Sequence, residues 1–461
     1  MKHYYIFLML LLTLISGCRK DFLDAKPNST IVNPTTLTDY QKLLDNSTAL
    51  NRTGALPQMS SDEYFIVSQS DFDALDQLTY KGAYLWSKDL FGGETNIPDW
   101  NAAYKAVFYA NSVLDGLEKI TRNSNNQTDY DNIQGEAVFF RAYAFYDLVK
   151  SFSPVYNHAT ATSDLGIPLR LSSGIDVTLP RSTVQVTFEK ILADLKLATT
   201  LLRDDFSSSI PNRPSKSAAY AMLARVYLYM GNYAEAGNAA NECLTRYNTL
   251  IDYNKVSTLT ETPFSYKTDE TIFFSTQDIA YDSTTGYTNY YTNFGIDTNL
   301  IKLYSQDDLR ATIFFEKNNL NNYNLKRGYV GGGYYAFTGL ATDEIMLIKA
   351  ECAARNNDAH TAMTILNQLL INRYKTGSFV PTAVTTASDA LNQVLLERRK
   401  ELVWRALRWS DLKRLNRDGA NITLKRNLSG TIYALPAYSP LYVFPIPNDE
   451  ILLSGIQQNI R

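Results

Sequence analysis

The fold is decided by the stretch RPSKSAAYAMLARVYLYMGNYAEAGNAANECL, residues 213–244. Small and apolar residues recur there at three- and four-residue spacings on both sides of Gly231-Asn232, which predicts two helices joined by a tight turn. Ala224 and Ala236 are twelve residues apart across that turn and allow antiparallel helices to approach closely, with Tyr227 beside them. This spacing is typical of tetratricopeptide units, which bury their faces on neighbouring units.

The same period recurs elsewhere, so we expect further helices. They are predicted over 37–46, 100–120, 134–152, 184–202 and 389–415, with another pair beginning at Thr342, in which Ala350 and Ala362 are again twelve apart. The remaining long segments lack this period and are rich in Gly, Tyr, Asn and Thr. The sequence therefore predicts a mainly α fold. A tetratricopeptide-like superhelix of helix pairs (about 100–248 and 341–415) presents a loop-rich, irregular insertion with short strands (about 50–99 and 249–340). An extended tail over 442–461 closes the chain.

The first residues have the pattern of an export signal. Lys2 gives a positive start, and the mostly apolar run over 4–15 is too short to span a bilayer comfortably. The run ends Leu-Ile-Ser-Gly-Cys at 14–18, which resembles a bacterial lipobox whose Cys18 thiol receives a diacylglyceryl group. We expect residues 1–17 to be a signal peptide. Several acyl chains on Cys18 would tether the mature chain firmly, since each buried methylene contributes about 0.8 kcal/mol.

Composition excludes some partners. The 461 residues carry a formal net charge of −3 without a long basic run, so nucleic acid is not expected to bind. The 32 Tyr residues are typical of surfaces that recognise polar ligands with apolar faces. Once Cys18 is acylated, only Cys243 and Cys352 remain, and we expect two buried thiols rather than a disulfide.

Catalytic motifs are not recognisable. Neither His158 nor His360 has triad or zinc-site residues around it, and Gly331-Gly332-Gly333 lacks the Lys and Ser/Thr of a phosphate loop. Asp62-Glu63 supplies paired carboxylates for glycoside hydrolysis, but sequence does not fix their separation in space. The group Asp71, Asp73 and Asp76 lacks the Gly and terminal Glu of a calcium loop. We therefore expect a protein without cofactor or metal that is not an enzyme.

Two sets of aromatic residues are candidates for sugar binding. Trp86 stands in the loop-rich region near Asp62, Tyr64 and Tyr84, and an exposed indole beside hydroxyl and carboxylate groups suits a pyranose ring. The alternative is that Trp86 packs beneath a loop. Two Tyr-rich loops of the insertion offer further rings. The predicted ligand-binding residues are Trp86, Asp62, Tyr64, Tyr84, Tyr290, Tyr291, Tyr334 and Tyr335.

A charged segment near the end of the scaffold is interpreted as structural. On one long helix over 389–415, Glu397 and Glu401 face Glu and Arg partners four residues on, including Arg405, and we interpret the charges as ion pairs within the helix. Trp404 and Trp409 of the same helix are expected to pack in the core.

Several segments, in this order along the chain, together resemble the SusD/RagB family of outer-membrane lipoproteins of Bacteroidetes. They are the start at 18–24 (CRKDFLD), EAVFFRAYAFYDLVKSF at 136–152, GIPLRL at 166–171, RPSKSAAYAMLARVYLYMGNYAEA at 213–236, ERRKELVWRALRWSDLKR at 397–414 and FPIPNDEI at 444–451. Three positions depart from the pattern. Arg405-Ala406 stands where the family usually has Glu-Gly, Ser153 replaces a common Gly, and the ending lacks Pro-Gly-Tyr.

The resemblance implies a non-catalytic lipoprotein anchored in the outer membrane and exposed at the cell surface, with residues 18–461 forming a single SusD-like domain. It would capture a glycan or another oligomeric nutrient and deliver it to a SusC-like TonB-dependent transporter. Two alternatives stay open, a tetratricopeptide-like adaptor for protein partners and a glycoside hydrolase. The identity of the ligand, glycan or peptide, is left open by the residues.

Overall fold

The computed structural model describes residues 34–204, 210–278 and 292–461. Cys18 and the signal segment, with Tyr290 and Tyr291, lie outside these ranges. The helices described are α1 (Leu37–Leu44), α2 (Ser47–Leu50), α3 (Leu56–Ser60), α4 (Gln69–Asp73), α5 (Leu78–Leu85), α6 (Pro98–Leu117), α7 (Gln127–Phe152), α8 (Val184–Leu201), α9 (Lys216–Met230), α10 (Tyr233–Arg246), α11 (Thr298–Ile301), α12 (Arg310–Phe314), α13 (Thr342–Arg355), α14 (Ala359–Leu370), α15 (Ala387–Glu401), α16 (Arg408–Arg417) and α17 (Asn448–Ser454).

The strands are short. Those described are β1 (Arg52–Thr53), β2 (Tyr64–Ile66), β3 (Leu165–Pro168), β4 (Arg181–Thr183), β5 (Thr271–Phe273), β6 (Thr276–Gln277), β7 (Phe294–Ile296), β8 (Phe315–Lys317), β9 (Tyr323–Leu325), β10 (Leu340–Ala341), β11 (Leu424–Leu428) and β12 (Thr431–Leu435). A mainly α fold with short strands is confirmed.

The pair α9–α10 forms as its residues predict. The Ser215 hydroxyl caps the first helix, and Asn232 caps the second. Between them Gly231 has a φ of 82°, a left-handed conformation that glycine adopts without steric cost. Ala224 and Ala236 are both fully buried, as expected where two helices approach closely.

Successive helices pack on one another in a continuous series. Contacts run from α6 to α7, α8, α9 and α10, then to α13, α14 and α15. Helix α7 lies inside this series, and its residues from Gly135 to Phe152 are all buried. The charge of Arg141 within it is neutralised by Asp194 at 2.8 Å. This arrangement is the predicted superhelix of helix pairs.

The prediction of a single long helix over 389–415 is wrong. Helix α15 ends at Glu401, α16 begins at Arg408, and between them Trp404 and Ala406 have positive φ values of 61° and 54°. Trp404 is buried as expected, but in this break rather than on a helix face.

The ion pairs expected within that helix are also different. Glu401 pairs with Arg310 at 2.9 Å and with Arg373 at 2.6 Å, both from other segments. Arg405 pairs with Asp343 at 2.6 Å. Glu397 keeps one pair within its helix, with Lys400 at 3.0 Å, and also pairs with Arg310 at 2.7 Å. The side chains of Glu401 and Arg405 turn inward, so their partners come from distant segments.

Several boundaries differ from the expectations. Helix α6 begins at Pro98, α7 begins at Gln127, and the segment 50–99 contains the short helices α3, α4 and α5. The end of the chain is not simply extended, because it contains α17. It is preceded by the β11–β12 hairpin, whose turn residues Ser429 and Gly430 have φ values of 50° and 92°. Positive φ at both turn positions matches the right-handed twist of paired strands.

The two loop-rich segments meet in space. Strand β1 pairs in parallel with β6, and β2 pairs antiparallel with β7. Side chains of β2 and β7 lie in a second hydrophobic core, distinct from that of the helices, and Val403 and Trp404 also belong to this core. The insertion is therefore attached to the helical scaffold at the break between α15 and α16.

Cys243 and Cys352 are free and buried, which confirms the prediction of two thiols. Burial raises the pKa of each thiol to about 12. None of the helices in the described ranges is both long enough and apolar enough to cross a membrane.

Candidate ligand-binding surface

The aromatic residues predicted around Trp86 are buried. Trp86 and Tyr64 are each 4% exposed, Tyr84 is fully buried, and the indole N–H of Trp86 donates to the Ser60 carbonyl at 2.9 Å. The expectation of an exposed indole beside hydroxyl and carboxylate groups is therefore wrong, because the indole is buried. Its alternative, Trp86 packed beneath a loop, describes the structure.

A cation of the chain itself occupies the space between these rings. The guanidinium carbon of Arg426 lies 4.1 Å from the ring centre of Tyr84, 4.7 Å from that of Trp86 and 5.1 Å from that of Tyr64. The guanidinium also donates to the backbone carbonyls of Met59, Ser61 and Tyr84. These rings therefore form a cation–π cage that fixes the C-terminal hairpin to the N-terminal segment. No local sequence pattern connects Arg426 with residues so far away in the chain.

The paired carboxylates have different partners. Asp62 accepts from Arg408 at 2.7 Å and from Arg399 at 3.2 Å. Burial alone would raise the pKa of Asp62, but these two charges hold it well below its usual range. Burial raises the pKa of the neighbouring Glu63 to about 7. The Glu63 carboxylate accepts from Gln58 at 2.6 Å and is 2% exposed, so neither group is placed to flank a glycosidic bond.

Three buried carboxylates meet elsewhere in the described part of the chain. Oxygens of Glu270, Asp343 and Glu401 lie within 4.8 Å of one another. Arg373 holds Glu270 at 2.7 Å and Glu401 at 2.6 Å, while Arg405 holds Asp343 at 2.6 Å. Because guanidinium groups take these oxygens, the cluster is an ion-pair network joining the insertion to the scaffold.

The predicted tyrosines of the second Tyr-rich loop are at the surface. Tyr334 is 61% exposed, and the guanidinium carbon of Arg327 lies 4.3 Å from its ring centre. Arg327 is itself nearly buried and donates to the carbonyl of Gly332 in the same loop. One face of the Tyr334 ring is therefore supported by a fixed cation while the rest of the ring faces solvent.

Tyr335 is partly exposed and, like Tyr334, has an arginine side chain over its ring. The guanidinium carbon of Arg52 lies 5.3 Å from its ring centre. Arg52 is positioned by the β1–β6 pairing, since its Nη1 donates to the Thr276 hydroxyl at 3.0 Å and the Gln277 carbonyl at 3.2 Å. Both loop-rich segments therefore contribute to one surface.

A third ring completes this surface. Tyr266 is 36% exposed and packs edge-on against Phe274, with 4.3 Å between ring centres. The loop of Gly331, Gly332 and Gly333 packs closely against the backbone of Tyr266. A Cβ atom added to Gly331 would lie 3.0 Å from the Tyr266 backbone nitrogen. We call Tyr266, Tyr334, Tyr335, Arg52 and Arg327 the aromatic platform.

Sequence reasoning found two members of the aromatic platform and missed three. Tyr266 has a local signal, since it stands in the polar stretch TPFSYKTD at 262–269. Arg52 and Arg327 have none, because their stacking partners come from elsewhere in the chain. The chemistry of the surface is that of polar rings with apolar faces beside guanidinium donors, which suits hydroxyl- and carboxylate-bearing rings.

Two family models match this sequence, and together they cover nearly the whole chain. Residues 224–460 match the model of the SusD family, and residues 21–228 match a SusD-like model described as starch-binding and associating with the outer membrane. SusD-like protein P2 of Formosa agariphila is 25% identical over 481 residues, covering 90% of this chain and 91% of that protein.

Solved structures show the same fold. A SusD superfamily protein from Bacteroides thetaiotaomicron has a TM-score of 0.73 at 22% identity, covering 92% of this chain and 100% of that one. A SusD-like carbohydrate binding protein from Bacteroides vulgatus has a TM-score of 0.68 at 19% identity, covering 92% and 97%.

Proposed function

The chain belongs to the SusD family, and from this premise we propose that it is a cell-surface lipoprotein that binds an oligosaccharide and delivers it to a SusC-like TonB-dependent transporter. In this proposal the protein is not an enzyme and uses no cofactor. The SusD-like model that matches residues 21–228 is described as starch-binding, which supports a glycan as the ligand class.

The aromatic platform carries the proposed binding site. Tyr334 presents a ring that is 61% exposed yet stacked on Arg327, so little freedom is lost when a ligand covers it. A pyranose ring has an apolar face that stacks on a phenol ring, while its hydroxyls accept from guanidinium groups. Tyr290 and Tyr291 remain proposed members, because Asp278, the last described residue before them, donates its backbone N–H to the carbonyl of Thr53, next to Arg52.

Anchoring in the outer membrane is proposed from the lipobox pattern at 14–18. Labelled palmitate supplied to cells that express the chain should be incorporated into the wild type and not into Cys18→Ala. Incorporation into both chains would contradict the anchor at Cys18.

Binding without turnover is the direct test of the proposed function. Calorimetry of the chain without its signal peptide, against a panel of neutral and acidic polysaccharides, should give saturable binding to at least one of them. Chromatography of the same mixtures should show no shortened products. New reducing ends, or an absence of binding across the panel, would contradict the proposal.

A further inference from the structure

A second concave site lies away from the aromatic platform. A cavity of about 570 Å³ opens between the loop that follows α7, helix α16 and the C-terminal segment. Pro154 and Val155 form one wall, while Tyr438, Pro440 and Ile460 form the other. Its volume lies within the range of small-molecule sites, about 300–1,000 Å³, and its lining shares no residue with the aromatic platform.

Lys413 of α16 lines this cavity although it is only 4% exposed. Its ammonium group donates to the backbone carbonyls of Lys150 at 2.7 Å and Ser153 at 2.8 Å, at the C-terminal end of α7. An ammonium group has three donors, so two carbonyls leave one for a ligand. Within the described ranges Lys413 forms no salt bridge, and the charged group that perturbs it is another cation, Lys150.

The charged groups around Lys413 are engaged with partners other than Lys413. On α7, Lys150 is already neutralised by Asp147 at 2.8 Å. On α16, Arg417 also lines the cavity and pairs with Asp418 at 2.8 Å. In the loop wall, the Asp164 carboxylate accepts from the Thr160 hydroxyl at 2.6 Å. Lys413 is thus the buried cation of this group that lacks a carboxylate partner in the described residues.

We propose that this cavity binds a ring-bearing carboxylate of sugar size, with its carboxylate on Lys413 and its ring against Tyr438. Tyr438 is 61% exposed at the rim and offers a free ring face. A buried ammonium group gains most from a ligand that brings the opposite charge, because the attraction and the charge-assisted hydrogen bond are stronger where water is excluded. This site is additional to the proposed glycan surface and does not depend on it.

The lowered pKa of Lys413 predicts that ligand binding depends on pH. Burial, followed by the nearby Lys150, lowers the pKa of Lys413 to about 7. The cation is needed to hold a carboxylate, so the free protein must take up a proton to bind above that pH. Affinity for the acidic ligand should therefore fall as the pH rises from 7 to 9.

Calorimetry with D-glucuronate as the probe and D-glucose as the neutral control tests the proposal on the chain without its signal peptide. The wild type should bind glucuronate at least tenfold more tightly than glucose. Lys413→Met and Ser163→Trp, which narrows the cavity from its exposed rim, should each lose at least tenfold in glucuronate affinity. The matched control Lys375→Met removes an exposed lysine and should leave the affinity unchanged.

Ser163→Trp keeps the test decisive, because it leaves Lys413 and the end of α7 in place even where Lys413→Met unfolds the chain. Circular dichroism confirms the fold of each variant. Failure of the wild type to bind glucuronate, equal binding of glucose, or full glucuronate affinity in folded Ser163→Trp would each overturn the proposal. Glycan binding at the aromatic platform is a separate measurement, which Ser163→Trp should not change.

Discussion

At the scale of single residues, Arg426 shows how a buried cation organises its surroundings. The residue is 5% exposed, and its guanidinium is enclosed by three aromatic rings and donates to four backbone carbonyls. Arg426→Met removes the guanidinium donors of the Ser61 and Tyr84 carbonyls, while the Met59 carbonyl keeps the Tyr64 hydroxyl at 2.8 Å. Each unsatisfied buried acceptor costs about 1–3 kcal/mol. We expect the free energy of unfolding to fall by about 2–4 kcal/mol, measured by urea denaturation.

The matched control lies on the same strand. Lys425 is exposed, so Lys425→Met should change the free energy of unfolding by no more than about 0.5 kcal/mol. Equal effects of the two substitutions would contradict the structural role of the aromatic cage.

The raised pKa of Glu63 predicts how the stability of the fold depends on pH. Burial raises its pKa to about 7, so the folded chain keeps a proton that the unfolded chain releases near 4.5. Glu63 therefore contributes stability that is fully present below pH 4.5 and is lost as the pH rises through 7.

Glu63→Gln mimics the protonated form at every pH. Relative to the wild type, its free energy of unfolding should rise by at least about 1 kcal/mol between pH 5 and pH 8, since one pKa unit corresponds to 1.36 kcal/mol. Urea denaturation at the two pH values measures this difference. Exposed Glu118→Gln serves as the control, and a difference independent of pH would refute the argument.

At the scale of elements, the break between α15 and α16 contains two positions, 405 and 406, at which the sequence departs from the pattern it resembles. Ala406 has a φ of 54°, which costs a residue with a side chain about 1–2 kcal/mol. The pattern that the sequence resembles has glycine at this position, and glycine adopts that conformation freely. Beside it, Arg405 replaces the usual glutamate and forms its salt bridge with Asp343.

Ala406→Gly should therefore stabilise the protein. The relief of strain exceeds the entropy that glycine adds to the unfolded chain, leaving a gain of about 0.5–1 kcal/mol in the free energy of unfolding. Thermal and urea denaturation measure it. Ala390→Gly, within α15, should instead destabilise by about 1 kcal/mol. A loss of stability in Ala406→Gly would contradict the strain argument.

The sequence predicted some elements well and others poorly for a physical reason. The boundaries of α8, α9 and α10 follow from caps and apolar spacing within about twenty residues. The break at 402–407 depends on distant partners, including Gln58, whose side-chain oxygen accepts from the Ala406 backbone N–H at 3.1 Å. Helical period carries no information about such partners.

At the scale of the whole molecule, the candidate site also depends on contacts between distant segments, which the local sequence pattern does not reveal. The loop-rich composition of the insertion predicted exposed tyrosines, and Tyr334 is 61% exposed. It did not show that Trp86 and Tyr84 enclose Arg426, because an aromatic residue in a polar segment is exposed or caged depending on tertiary contacts alone. The binding role of the exposed tyrosines stays a prediction.

Ion pairs connect the insertion to the helices. Arg373 bridges Glu270 of the insertion and Glu401 at the end of α15, and all three side chains are fully buried. Such a network fixes relative orientation because removing one partner leaves an uncompensated buried charge. The aromatic platform is therefore supported on a rigid base rather than on an independent loop.

The central claim is that the aromatic platform binds an oligosaccharide. The most direct test is calorimetry of Tyr334→Ala/Tyr335→Ala with the polysaccharide that the wild type binds. We expect at least a tenfold loss of affinity, about 1.4 kcal/mol, with an unchanged unfolding midpoint. Phe108→Ala, which removes an exposed aromatic ring on α6 outside both proposed sites, should retain full affinity. Full affinity in the folded double variant would contradict the claim.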